Sequence, residues 1–186
     1  MSSVVLFLAD GFEEIEALSV VDVLRRGGIE IYTMSITNNK EVVGKSNIKV
    51  IADMTFDKNA AIESEMIIFP GGSVGMENLK NSKDVVDVLK YFSENKKNIS
   101  AICASPSILG INGVLNGYKA ICYPGLEKFL YDAEIVDKNV VCDRNIITSK
   151  GPGTTIDFAL AILNKLKGAE CADSVSKGLL WTREDY

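Results

Sequence analysis

Four short apolar runs limit what this chain can fold into more than any other feature. Val4-Val5-Leu6-Phe7-Leu8, Met66-Ile67-Ile68-Phe69, Ile99 to Ile102 and Ile146 to Ser149 are of strand length and contain no charged residue. Strands of this kind are buried on both faces, as in parallel sheets whose crossovers lay helices on either side. After the first run, Asp10 and Glu13 read as a capping box. Ile15, Leu18, Val21 and Leu24 then recur at helical spacing until Gly27-Gly28. Ile29 to Ile36 alternates as a second strand, completing a right-handed βαβ unit. Asn38-Asn39 and Gly44 punctuate short runs around Val42-Val43 and Ile48 to Ala52, which reads as a hairpin excursion.

Further along, Val85, Val88, Leu89 and Phe92 mark a helix within residues 75–95, and another runs from about Ser105 to Ile111. Tyr118 to Cys122 is strand-like. Ala133 to Val136 and Val140 to Cys142 read as a hairpin across Asp137-Lys138-Asn139. Thr154 with Asp157 signals the start of a helix reaching Lys167, and a last helical stretch lies near Ala169 to Lys177. No repeat or linker divides the chain. The expectation is one α/β domain over residues 1–186, a doubly wound sandwich with a mostly parallel sheet. Its ligands would bind beyond the carboxyl ends of the strands.

Composition then removes whole classes of chemistry. The 186 residues include no histidine, so one copy of the chain assembles no Ser-His-Asp or Cys-His unit and lacks the commonest zinc ligand. A net charge of -5 removes the broad attraction to phosphate backbones, so no nucleic-acid partner is expected. The N-terminus has no basic region, and Val4 to Ala9 is too short for a signal-peptide core or a membrane span; the cytoplasm is the expected compartment. Cys103, Cys122, Cys142 and Cys171 form no CxxC pair and read as buried thiols, and neither metal nor cofactor is called for.

Three loops at the strand ends carry chemistry. Cys103 follows the strand Ile99 to Ile102 and precedes the small residues Ala104 and Ser105 at a helix start, the context of a nucleophile elbow. There a tight turn projects the sulfur and the helix N-terminus favours its thiolate. The elbow's usual flanking glycines are absent, so by spacing alone an ordinary buried cysteine fits as well. Glu16 shares a helical stripe with Val20 and Val23, which places a carboxyl on an apolar face, where burial favours the neutral acid. It equally fits an acidic first turn with Glu13 and Glu14 that complements the helix dipole. Gly71, Gly72 and Gly75 form a turn able to bring backbone N–H groups against a ligand, or simply a tight turn. Thr154-Thr155 reads better as a structural cap than as an anion site.

Together these segments resemble the DJ-1/ThiJ/PfpI superfamily in its DJ-1-like branch, and the resemblance covers nearly the whole chain. It rests on the run from Leu8 to Glu16, on Val21-Asp22-Val23-Leu24-Arg25-Arg26, on Pro70-Gly71-Gly72, on Ala101-Ile102-Cys103-Ala104-Ser105-Pro106 and on the run from Thr148 to Thr154. The resemblance implies a flavodoxin-like fold related to class I glutamine amidotransferases, usually dimeric. It implies a reactive Cys103, a protonated Glu16 hydrogen-bonded to it, and backbone donors from Gly72 and Ala104. The activities it implies are protection against oxidative stress through a cysteine sulfinic acid, cofactor-independent glyoxalase or deglycase chemistry on methylglyoxal-type carbonyls, and chaperone-like binding.

Two positions depart from relatives of the fold. Ala104 stands where the protease-like branch has a histidine, so peptidase and amidase readings lose their base. Tyr123, before Pro124, stands where many glyoxalase-active members have a histidine, and a phenol is a poor proton shuttle near neutrality. The leading expectation is therefore a redox-responsive homodimer acting on peroxide, with a carbonyl-consuming enzyme as the alternative and a chaperone-like module as a third reading.

Overall fold

A computed structural model describes residues 3–181 of the chain; residues 1, 2 and 182–186 of the expected domain lie outside that range. The strands are β1 (Val4–Leu8), β2 (Ile31–Ser35), β3 (Glu41–Val43), β4 (Lys49–Ile51), β5 (Met66–Phe69), β6 (Asn98–Ile102), β7 (Lys119–Ala120), β8 (Glu134–Ile135), β9 (Val140–Asp143) and β10 (Ile146–Ser149). The helices are α1 (Glu14–Arg26), α2 (Lys58–Glu63), α3 (Ser73–Asn81), α4 (Lys83–Glu94), α5 (Pro106–Ile111), α6 (Thr155–Lys167) and α7 (Ala169–Gly178).

Six strands form one sheet in the order β2-β1-β5-β6-β10-β9, parallel throughout except for β9. The four apolar runs are its four central strands. Every residue of β1, β5 and β10 is buried, because helices cover the sheet on both sides. On these helical layers α1 packs against α6 and α6 against α7, while α4 packs against α2 and α3. The strand order reverses at β1, whose neighbours are β2 and β5. A crevice therefore opens beyond their carboxyl ends, where the loops after β1, β5 and β6 meet.

Several local expectations are corrected. Asp10 does not cap α1: its Oδ1 accepts from Val43 N at 2.8 Å, which pins the β3–β4 hairpin, and α1 begins four residues later. Ile15 and Leu18 are exposed, and α1 instead buries Glu16, Ala17, Val20, Val21, Val23 and Leu24. The helix expected within 75–95 is two helices. Ser82 breaks it with extended backbone, ending α3 and capping α4 through Oγ, which accepts from Val85 N.

The expected hairpin between 133–136 and 140–142 does not form. β8 pairs in parallel with β7, and β9 pairs with β10 across Arg144-Asn145, where Arg144 takes a left-handed φ of 52°. The strand expected from Tyr118 to Cys122 is reduced to Lys119–Ala120. Thr154 does not cap α6 with its side chain. Its Oγ1 lies 2.6 Å from Ser149 Oγ and donates to Gly151 O, closing a 3-10 turn over Pro152–Thr154. The expectation of four buried thiols fails for Cys142, exposed on β9, and for the half-buried Cys171.

Candidate active site

Position 103 is where β6 must turn into α5, and Cys103 meets that demand with a φ of +64°, in the left-handed region that L-residues seldom occupy. Such a conformation costs of order 1–3 kcal/mol and persists only where neighbours hold it. Here Cys103 N donates to Ser149 O at 2.9 Å, Tyr123 N donates to Cys103 O at 2.7 Å, and Ser105 Oγ donates to Pro70 O at 2.6 Å. The turn is thereby fastened to β10, to the segment after β7 and to the turn after β5.

The Pro70-Gly71-Gly72 turn divides its amides between two acids. Gly71 N donates to Glu16 Oε2 at 2.7 Å. The amides of Gly72 and Ala104 act on the Cys103 sulfur and favour its thiolate. Gly75, grouped with them in the sequence, takes no part, since its N–H is spent on Gly11 O. The glycines are required by contact: a Cβ on Gly71 would lie 2.5 Å from Glu16 Oε2 and 2.6 Å from Cys103 Cβ.

Glu16 is fully buried on α1, and Cys103 is 9% exposed. The second carboxyl oxygen, Oε1, has no conventionally placed hydrogen-bond partner, and the carboxyl's side-chain interaction is with the Cys103 thiol. Burial pushes Glu16 up to about 7, against the opposing pull of the Gly71 amide and the thiol. Burial, then the neighbouring Glu16, pushes Cys103 up to about 12. From about pH 7 to about pH 12 the pair therefore carries a single negative charge.

A pocket of about 350 Å³ opens over the sulfur, lined in part by Glu13, Lys45, Ser73, Tyr123 and Leu126. Lys45 comes from the β3–β4 turn, where its backbone N donates to Phe12 O at 2.8 Å, and its Nζ lies 3.0 Å from Glu13 Oε2. Sequence patterns did not single it out, because only the folding of the hairpin onto the β1–α1 loop brings it here. Tyr123 stands beside the sulfur across Gly151: a Cβ there would lie 3.3 Å from the phenol ring and 3.9 Å from Sγ. Cys122 does not line this pocket; it is buried, and that burial pushes it up to about 12.

The four residues singled out at this edge, Cys103, Glu16, Gly72 and Ala104, thus meet at one point. A family model described as the DJ-1/PfpI family matches residues 2–165. The chain belongs to the DJ-1/PfpI family. Within it, the chain is 37% identical over 166 residues to a deglycase of Pyrococcus horikoshii, covering 88% of this chain and 99% of that protein. It is 38% identical to the DJ-1 homolog B of Arabidopsis thaliana, covering 93% of this chain and 40% of that protein; the chain thus spans two fifths of that longer DJ-1 relative. A solved structure of oxidised Toxoplasma gondii DJ-1 superposes with a TM-score of 0.91 at 32% identity, covering 98% of this chain and all of that one. The DJ-1-like branch and the flavodoxin-like architecture expected from the sequence are both found.

Proposed function

We propose that this DJ-1-like protein serves stress protection through oxidation of Cys103, as a single-domain, cytoplasmic homodimer that needs no cofactor. The observation that carries this reading is the set of donors around the sulfur. With the pair's one negative charge on Cys103, the thiolate receives the amides of Gly72 and Ala104 and a proton held on Glu16 Oε1, so the otherwise unpartnered oxygen is satisfied. With the charge on Glu16, those two amides face a neutral thiol. The thiolate attacks a peroxide: an S–O bond forms, the O–O bond breaks, and the leaving hydroxide takes up a proton. A second equivalent of peroxide converts the sulfenic acid to the sulfinic acid.

Peptide mass mapping after graded peroxide exposure tests the reading. Cys103 should gain two oxygens before Cys122, Cys142 or Cys171 is modified, even though Cys142 is the exposed one. First modification at another cysteine would overturn it.

The similarity to a deglycase supports a second reading, carbonyl chemistry at the same sulfur. With no imidazole, general acid or base catalysis forgoes part of its usual hundredfold to ten-thousandfold, roughly, so methylglyoxal turnover should be slow, dependent on Cys103 and raised by Tyr123→His. A wild-type kcat/KM above about 10⁴ M⁻¹s⁻¹ would instead make the enzymatic reading the primary one. Little or no peptidase activity is expected on either reading.

A further inference from the structure

The charges around the pocket over Cys103 are unevenly presented. Glu13 and Lys45 are the only charged side chains lining it among the described residues. Glu13 is 10% exposed at its side chain and Lys45 58% exposed, so the carboxylate stands behind and the ammonium in front. Lys45 is held at both ends, by its backbone bond to Phe12 O and by Glu13 Oε2. The hydroxyls of Ser73 and Tyr123 also line the pocket, and neither has a hydrogen-bond partner among the described residues. A molecule entering here meets unspent donors and one cation before it reaches the sulfur. The charge of Lys45 also acts on Cys103 and Glu16.

We infer that the pocket selects a small electrophile bearing a carboxylate, a 2-oxo acid in chemical class, with Lys45 Nζ receiving the carboxylate and Glu13 positioning Lys45. The inference rests on the reading of Cys103 as the reactive thiolate. In the step that follows, the sulfur adds to the carbonyl carbon next to the carboxylate. A C–S bond forms, the C=O π pair moves onto oxygen, and that oxygen takes the proton from Glu16. Nothing is oxidised or reduced, and the adduct reverts by the same route. A neutral dicarbonyl of the same size would lack the contact to Lys45.

The test compares alkylation of Cys103 by iodoacetate and by iodoacetamide, read at the Cys103 peptide so that Cys142 does not contribute. The two reagents differ in charge at nearly equal size. Lys45→Met should lower the iodoacetate-to-iodoacetamide rate ratio about fivefold to tenfold, the effect of one unit charge at pocket distance, and added salt should shrink the difference. Lys45→Arg should retain the wild-type ratio, and Glu13→Gln should raise it by removing the opposing charge. Glyoxylate should protect wild-type Cys103 from iodoacetamide at concentrations about fivefold to tenfold below those needed in Lys45→Met, whereas methylglyoxal should protect both alike. An unchanged ratio in Lys45→Met, or equal glyoxylate protection, would overturn the inference while leaving Cys103 reactive. Failure of Cys103 to react with iodoacetamide near neutral pH would overturn the reading of the thiolate instead.

Discussion

At the scale of single residues, the pairing of Glu16 with Cys103 gives two measurable consequences. With the pair's single charge placed on Cys103, as proposed, thiolate absorbance should follow the first ionisation of the pair near pH 7 instead of staying absent until about pH 12. A midpoint near 12 would place the charge on Glu16 and refute the proposed chemistry. The second consequence is in stability. The folded pair keeps both of its protons up to about pH 7, while the unfolded chain releases the Glu16 proton near the ordinary value of 4.5. Stability contributed by the fully protonated pair is therefore full below pH 4.5 and is lost as pH rises through 7, to the extent of about 3 kcal/mol. Urea unfolding at pH 4.5 and pH 7.5 should show this fall in the wild type and a much flatter difference in Glu16→Gln. Glu16 was legible in the sequence because a carboxyl on the stripe of Val20 and Val23 is anomalous, and Cys103 because of its strand-to-helix setting. Lys45 was not, since nothing within several residues of it marks a hairpin tip as part of a site.

Among the elements, the two turns flanking the sulfur tolerate change differently. A Cβ on Gly71 would push into Glu16 Oε2 and Cys103 Cβ, so Gly71→Ala should displace the acid and slow oxidation of Cys103. Gly72 has a φ of +91°, and a Cβ there would lie 2.8 Å from Glu13 N and closer still to Gly11 O. Gly72→Ala should therefore destabilise by several kcal/mol, on the order of the large backbone effects. Gly153 has open space at its Cβ position, and Gly153→Ala should stay within about 0.5 kcal/mol of wild type in denaturant midpoint. The same scale explains which elements could be read in advance. The central strands were plain because burial on both faces leaves only apolar residues. The break at Ser82 was hidden, since an apolar stripe continues on either side of it. The pairing of β8 was hidden as well, because strands of two residues carry no pattern and their partners are fixed by tertiary contact.

For the molecule as a whole, the stripe of Ile15, Leu18, Val21 and Leu24 on α1 is buried only in its second half, at Val21 and Leu24. Ile15 and Leu18 remain exposed on α1, as do Ile48 and Ile51 on the hairpin that Ser46 N ties to Glu14. Glu14, beside them, is spent within the chain, where, against the effect of burial, Ser46 and Ile48 hold its carboxyl below the usual range. A second copy seated on this face would cover the aliphatic side chains. Light scattering at micromolar concentration should give a dimeric mass that Leu18→Glu converts to a monomeric one; a monomeric wild type would contradict the arrangement. The left-handed turn at position 103 also has a consequence over many generations. Glycine would occupy that conformation with less strain than any side chain, so Cys103→Gly should raise the unfolding midpoint even as it removes the sulfur. Selection for thermal persistence alone would therefore erase this cysteine, and a lineage that keeps it is trading robustness for reactivity at a single codon.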